Sequence, residues 1–218
     1  MRIDGFGAGL VLIVGVAIPY LAWKTKQRFQ GEELPMPRAQ FFFQTAIFQL
    51  VIYGFALVAA STNAIRLQLV PIFWSKAWPA LALLLLALAL LKLHWPWRDD
   101  ADKRRLYAIL PRDRRELGPY LLLCVVAAIG EEVTYRGVAY RLLIRLGLSI
   151  WVAAAIMSVI FALAHSVQGW RSTIVIGVLA AGFHFIVIYS CGLLPAIVTH
   201  FVYDAVAGIV IPRWVQRS

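Results

Sequence analysis

The sequence predicts an all-α, polytopic transmembrane helix bundle of about seven spans, and three observations carry that prediction. Hydrophobic residues make up 61% of the 218 residues and charged residues 15%, a balance with too much apolar surface for a soluble fold of this size. Apolar runs such as "WPALALLLLALALLKLHW" recur at lengths near the roughly 17–25 residues that cross a bilayer. Ionisable residues away from the ends of these runs are few, and all of them fall in the C-terminal half.

The first expected span, Gly5–Trp23, is too long and too evenly apolar for a signal-peptide core, and no small-residue cleavage site follows it. It reads as a retained helix. Phe41–Ala60 and Trp78–Trp95 are the second and third. The fourth, Gly118–Leu146, changes character midway: "YRGVAYRLLIRLG" sets Arg141 and Arg145 one helical turn apart on a single face, so its second half is expected along the interface. Ser149–Ser166, Ser172–Ser190 and Leu193–Ile211 follow, and the short connections after Leu146 and Ser190 predict antiparallel neighbours. The stretch "PWRDDADKRRLYAILPRDRREL" mixes both charge signs and reads as a solvated surface helix on the cytoplasmic face. The chain therefore divides into N-terminal spans with a basic loop (1–117), a C-terminal helical core (118–211) and a short tail (212–218).

A net charge of +10 would point to nucleic acid in a soluble protein. Here the basic residues sit mainly in loops, where anionic headgroups and the orientation rule account for them. Membrane lipids are expected partners and nucleic acid is not. Loops after the first, third, fifth and seventh spans carry most of the Lys and Arg, from Lys24 to Arg217. The other side holds Arg2, Arg66, Lys76, Arg141 and Arg145. That asymmetry predicts an outside N-terminus and a cytoplasmic C-terminus. Cys124 and Cys191 lie in or beside apolar segments and suggest neither a disulfide framework nor a zinc ribbon.

Among the ionisable residues inside the spans are Glu131, Glu132, Arg136, His165, His184, His200 and Asp204. A charge at the centre of a spanning helix costs about 2.5–3.5 kcal/mol on insertion scales, so such residues usually face the bundle interior and are paired or functional. Glu132 and Arg136 are four residues apart and share a face, which suits a supporting ion pair. Glu131 is rotated about 100° from Glu132 on an ideal helix and points elsewhere. His200 and Asp204 are also four apart. By depth alone His165 and His200 lie towards opposite ends of their spans, so spacing does not bring them together. His184 has no partner spacing and reads as a structural residue that hydrogen-bonds between helices.

These residue types limit the chemistry. There is no GxSxG elbow and no HExxH, and Asp204 is the lone aspartate in the spans. A glutamate with histidines remains: the carboxylate can act as general base on water, a histidine can orient that water, and a further histidine can stabilise an oxyanion. No cofactor is expected, although two histidines and a carboxylate are also a legitimate zinc set, and a metal at Glu131, His165 and His200 stays open.

"EEVTYRG", "FALAH" and "HFVYD", in that order on successive spans, resemble the motifs of the CAAX-protease and bacteriocin-processing family, also called the abortive-infection family. The run "YSCGLLPAIVTH" is similar to that family's approach to its last motif. The resemblance covers roughly Pro119 to Ala207. It implies an intramembrane glutamate endopeptidase of the bacterial cytoplasmic membrane, acting on a peptide or membrane-protein substrate, with lipidation of that substrate left open. On the matching positions Glu131 and His165 would activate water. Glu132 and Arg136 would set helix geometry, while His200 and Asp204 would occupy the oxyanion-stabilising positions. Where well-understood members have asparagine, this chain has Asp204. Either that carboxyl is protonated or it orients His200 by accepting a hydrogen bond, and the i,i+4 spacing favours the second. Three alternatives remain beside this expectation: a zinc-dependent membrane protease, a non-enzymatic immunity or partner-binding protein, and a proton-coupled transporter, the last disfavoured by the lack of inverted repeats.

Overall fold

The computed structural model describes residues 2–29, 34–71 and 74–215, and its ordered elements are helical, with no strand among the described residues. Arg217 of the basic count and part of the expected tail lie outside the described residues. In chain order the helices are α1 (Gly5–Arg28), α2 (Arg38–Thr62), α3 (Trp74–Trp97), α4 (Asp100–Ala108), α5 (Arg114–Arg145), α6 (Ile150–Ala164), α7 (Trp170–Ser190) and α8 (Leu194–Val215). Six of these are long and apolar enough to cross a membrane, and α6 is a shorter apolar helix. Together they form the expected polytopic bundle of about seven spans.

Local sequence explains where the helices start and how they are tied. The Asp4 carboxylate accepts from the Gly7 amide at 2.8 Å and caps α1, supplying an acceptor for an otherwise orphan N–H. The same Oδ1 accepts from Asn63 Nδ2 at 2.5 Å, which fastens the start of α1 to the end of α2. Those bonds hold the Asp4 carboxyl below its ordinary range, the Gly7 amide contributing most. Asp113 caps α5 through the amides of Arg115 and Glu116, and Ser149 caps α6 through Val152. A left-handed Cys191, φ 55°, ends α7 and turns the chain directly into α8.

Two expectations are corrected. The second half of α5 does not lie along the interface: every residue from Glu131 to Tyr140 is buried, and Glu132–Ala139 adopts a π-helical stretch within the helix. Arg141 and Arg145 instead donate to the carbonyls of Arg66, Asn63 and Ala64. They satisfy the chain where α2 has ended. Likewise α4 is solvated on one side only: Asp100 and Arg104 are exposed, whereas Asp102, Arg105, Leu106 and Ala108 are buried. A nine-residue helix next to α8 and the turn after α6 has a protein-facing side, which a mixed-charge sequence read without neighbours does not reveal.

The site is framed by α2, α5, α6 and α8. Packing of α8 on α5 depends on Gly208, where a Cβ would overlap the Tyr120 ring. The absence of a side chain lets the two backbones approach. Tyr120 then donates from its hydroxyl to the Asp204 carbonyl at 2.9 Å. This bond fixes the height of α8, and therefore of His200 and Asp204, relative to α5.

Candidate active site

Glu131 is the last α-helical residue before the π-helical stretch of α5, which Glu132 opens. Such bulges occur often at functional sites because they re-aim side chains within a continuous helix. Here they set two consecutive carboxylates against the two nitrogens of one imidazole. His200 Nδ1 donates to Glu132 Oε1 at 2.9 Å. His200 Nε2 lies 3.9 Å from Glu131 Oε2 and 3.4 Å from Asp204 Oδ2. The ring is thus oriented chiefly by Glu132. The expected neighbour Asp204 stands at the other nitrogen, at the longer distance, and the bond to Glu132 is not part of the sequence-based expectation.

The expected Glu132–Arg136 pair is present, with Nη1 3.1 Å from Oε1 and both side chains fully buried. The guanidinium also stacks 4.3 Å from the Phe161 ring centroid and 5.4 Å from that of Phe183, contacts that stabilise a desolvated cation. Glu132 Oε1 therefore serves Arg136 and His200 together. One carboxylate couples the charge inside α5 to the imidazole on α8.

His165 follows directly on the last residue of α6. Its Nδ1 bonds the Phe161 carbonyl at 2.8 Å. A carbonyl accepts, so Nδ1 carries the hydrogen, and in the neutral ring Nε2 is left as an acceptor. Nε2 faces Glu131 Oε2 at 3.8 Å. Depth counting along separate spans could not bring His165 and His200 level, yet both rings reach the same carboxylate oxygen. That convergence depends on how α6 and α8 pack around α5.

Glu131 itself is held from an unexpected direction. Gln49 of α2 donates from Nε2 to Glu131 Oε1 at 2.6 Å, a charge-assisted bond. Among the described residues Oε2 is buried without a hydrogen-bond partner. Gln49, Glu131, His165, His200 and Asp204 all line one cavity of about 310 Å³, whose remaining wall is largely aliphatic and aromatic. A search of the spans restricted to ionisable groups passes over Gln49. The available signal is an amide inside "FFFQTAIFQLVIYGF", since a neutral polar group in a lipid-spanning helix also needs a partner.

His184 stays apart from this cluster. It is buried against Tyr140, ring centroids 5.1 Å apart, and neither ring nitrogen has a hydrogen-bond partner among the described residues. It packs between helices without the hydrogen bond its residue type suggests. Among the described residues, no group of three His, Cys, Asp or Glu side chains has an arrangement that would hold a metal ion.

Residues 114–206 match the family model described as Type II CAAX prenyl endopeptidase Rce1-like. Comparison with curated proteins and with solved structures finds no match. The matched segment contains all the residues of the three motifs and bears out the resemblance drawn from them. It also leaves out α2, and with it Gln49.

Proposed function

We propose that this chain, an integral membrane protein carrying an Rce1-like type II CAAX prenyl endopeptidase domain at residues 114–206, hydrolyses a peptide bond with a water activated by Glu131 and His165. The observation that carries this reading is the surroundings of Glu131 Oε2. It is unpaired, and it lies 3.8 Å from His165 Nε2 and 3.9 Å from His200 Nε2. Those separations are too long for direct hydrogen bonds and suit a bridging water.

Gln49 occupies Oε1, so Oε2 is the oxygen free to take a proton. As Glu131 withdraws it, the water oxygen attacks the scissile carbonyl carbon, and the proton passes to the departing amine as the C–N bond breaks. His165, its Nδ1–H committed to Phe161, accepts from the same water and orients it. His200, with Nδ1 tied to Glu132, and Asp204 stand at the oxyanion-stabilising side. Glu132 and Arg136 hold that imidazole in place. The substrate class is a membrane-associated peptide or protein, lipidated or not, reached within the bacterial cytoplasmic membrane by a protein whose C-terminus faces the cytoplasm. No cofactor is invoked. Activity that disappears with a chelator and returns with zinc would replace this water-activating scheme by the metal one.

The test compares peptide termini in membranes containing wild-type protein or Glu131→Gln at matched levels. Loss of a general base lowers rates about 10²–10⁴-fold, so wild-type-specific termini should vanish in the variant. Identical termini, with both proteins folded, would favour the partner-binding alternative.

A further inference from the structure

The cavity that contains Glu131 has a second polar wall. Arg98, Gln168, Ser172 and Tyr203 line it, contributed by the end of α3, the turn after α6, α7 and α8. Arg98 is 9% exposed and Ser172 1%. Arg98 Nε and Nη1 and Ser172 Oγ are buried without a hydrogen-bond partner among the described residues. Leaving buried donors unpaired is costly, and more so for a charged group.

Neighbouring groups do not neutralise this cation. Asp102 is buried beside it, but its Oδ1 takes the Arg105 guanidinium. Its Oδ2 is buried against Gly169 and has no hydrogen-bond partner among the described residues. No carboxylate stands within ion-pair distance of Arg98 among the described residues, and its nearest aromatic face, Trp95, is 6.0 Å away. Burial pushes the Arg98 guanidinium below its ordinary pKa, with Tyr203 and Asp102 acting weakly the other way. Arg98 is therefore a buried positive charge that faces a cavity and lacks a direct counterion.

We propose that Arg98, with Ser172 and Tyr203 as further hydrogen-bond donors, forms an anion subsite that receives one carboxylate group of the peptide substrate. The inference rests on the peptidase reading and adds a specificity determinant to it. One uncompensated guanidinium matches one monoanion, and a carboxylate accepts several N–H and O–H donors at once. A phosphate dianion fits less well, because one guanidinium offsets one charge and Asp204 on the same cavity wall opposes a second. The carboxylate can be supplied by a chain terminus or by an acidic side chain. Either source anchors the substrate in the cavity that also contains Glu131.

Binding can be read without turnover in the full chain carrying Glu131→Gln, reconstituted in lipid nanodiscs. Three fluorescent apolar decapeptides serve as probes. One has a free C-terminal carboxylate, one a C-terminal carboxamide, and one a carboxamide with a single aspartate in the chain. At least one carboxylate peptide should bind about tenfold or more tighter than the neutral one, as expected for hydrogen bonds to a charged group. Whichever carboxylate peptide gains identifies the source. Adding Arg98→Gln should bring that ratio to about one without weakening the neutral peptide, while Arg98→Lys should keep part of the preference. Equal binding of charged and neutral peptides, a preference that survives Arg98→Gln, or binding of none of the three would overturn the proposal. If Arg98→Gln lowers the thermal midpoint, Ser172→Ala combined with Tyr203→Phe takes its place; an undiminished ratio in that variant also overturns it. The peptidase reading is decided separately by the termini lost in Glu131→Gln, so either idea can fail alone.

Discussion

Helices α2 and α5 pack along one another and both reach the site, yet they belong to different environments. In the most apolar stretch of α2 only 17% of residues are buried within the protein, against 50% for α5. Large residues of α2, among them Phe43, Ile47, Phe48 and Val51, are exposed on the bundle surface. Its buried positions are mostly small: Ala46, Ala56, Ala59 and Ala60. In α5 the polar groups Glu131, Glu132, Thr134 and Arg136 are buried along with their apolar neighbours. Lipid tails are as apolar as leucine, so no hydrophobic force selects which face of α2 turns inward. Close packing of small residues and a few polar contacts do so instead. At the helix start Arg38 faces Glu116 and donates to the Ala108 carbonyl, and in the apolar run Gln49 bonds Glu131, which makes a lipid-facing helix part of the site.

The contrast predicts a graded set of outcomes. The largest belongs to α5. Arg136→Met removes the guanidinium paired with a fully buried Glu132 and leaves that carboxylate only its bond to His200, at a cost of about 3–5 kcal/mol. The detergent unfolding midpoint should fall sharply, with His200 losing its fixed orientation. A small shift would mean that Glu132 finds another partner. An intermediate effect belongs to Gln49, where the two environments meet. Gln49→Leu removes a hydrogen bond to a charged group, worth about 1.5–3 kcal/mol. Cleavage should therefore slow roughly 10- to 100-fold while expression in the membrane is retained. Unchanged cleavage would restrict α2 to a packing role. The smallest belongs to the lipid face: Val51→Ala, at a position 63% exposed, should alter stability by no more than about 0.5 kcal/mol. A larger loss there would show that the exposed face of α2 is covered by another protein surface.

Much of this architecture is legible in the chain. Long apolar runs have one low-energy solution in a bilayer, because every backbone group must be satisfied within its own helix. The seven helices and most of their limits follow from that constraint. Expensive groups are equally legible: Glu131, Glu132, Arg136, His165, His200 and Asp204 stand out because each is costly in lipid and the spacing of Glu132 and Arg136 permits a pair within one helix. The π-helical stretch at 132–139 is not legible, since hydrophobic periodicity in so short a segment does not separate it from an α-helix. The burial of α4 is hidden for a related reason: mixed charges read as solvated until Asp102 and Arg105 are seen to neutralise each other against the bundle.

By itself, then, the sequence determined that the protein is a helical membrane bundle and which side chains had to be turned away from lipid, because insertion cost acts on each residue separately. Tertiary packing alone decided which of those side chains meet. The tight contact at Gly208 sets α8 beside α5, and the end of α6 delivers His165. From a helix with no charged residue in its apolar run, Gln49 then fixes the orientation of Glu131. Hydrogen bonds act over about 3 Å, and no spacing within one helix determines distances of that order to another.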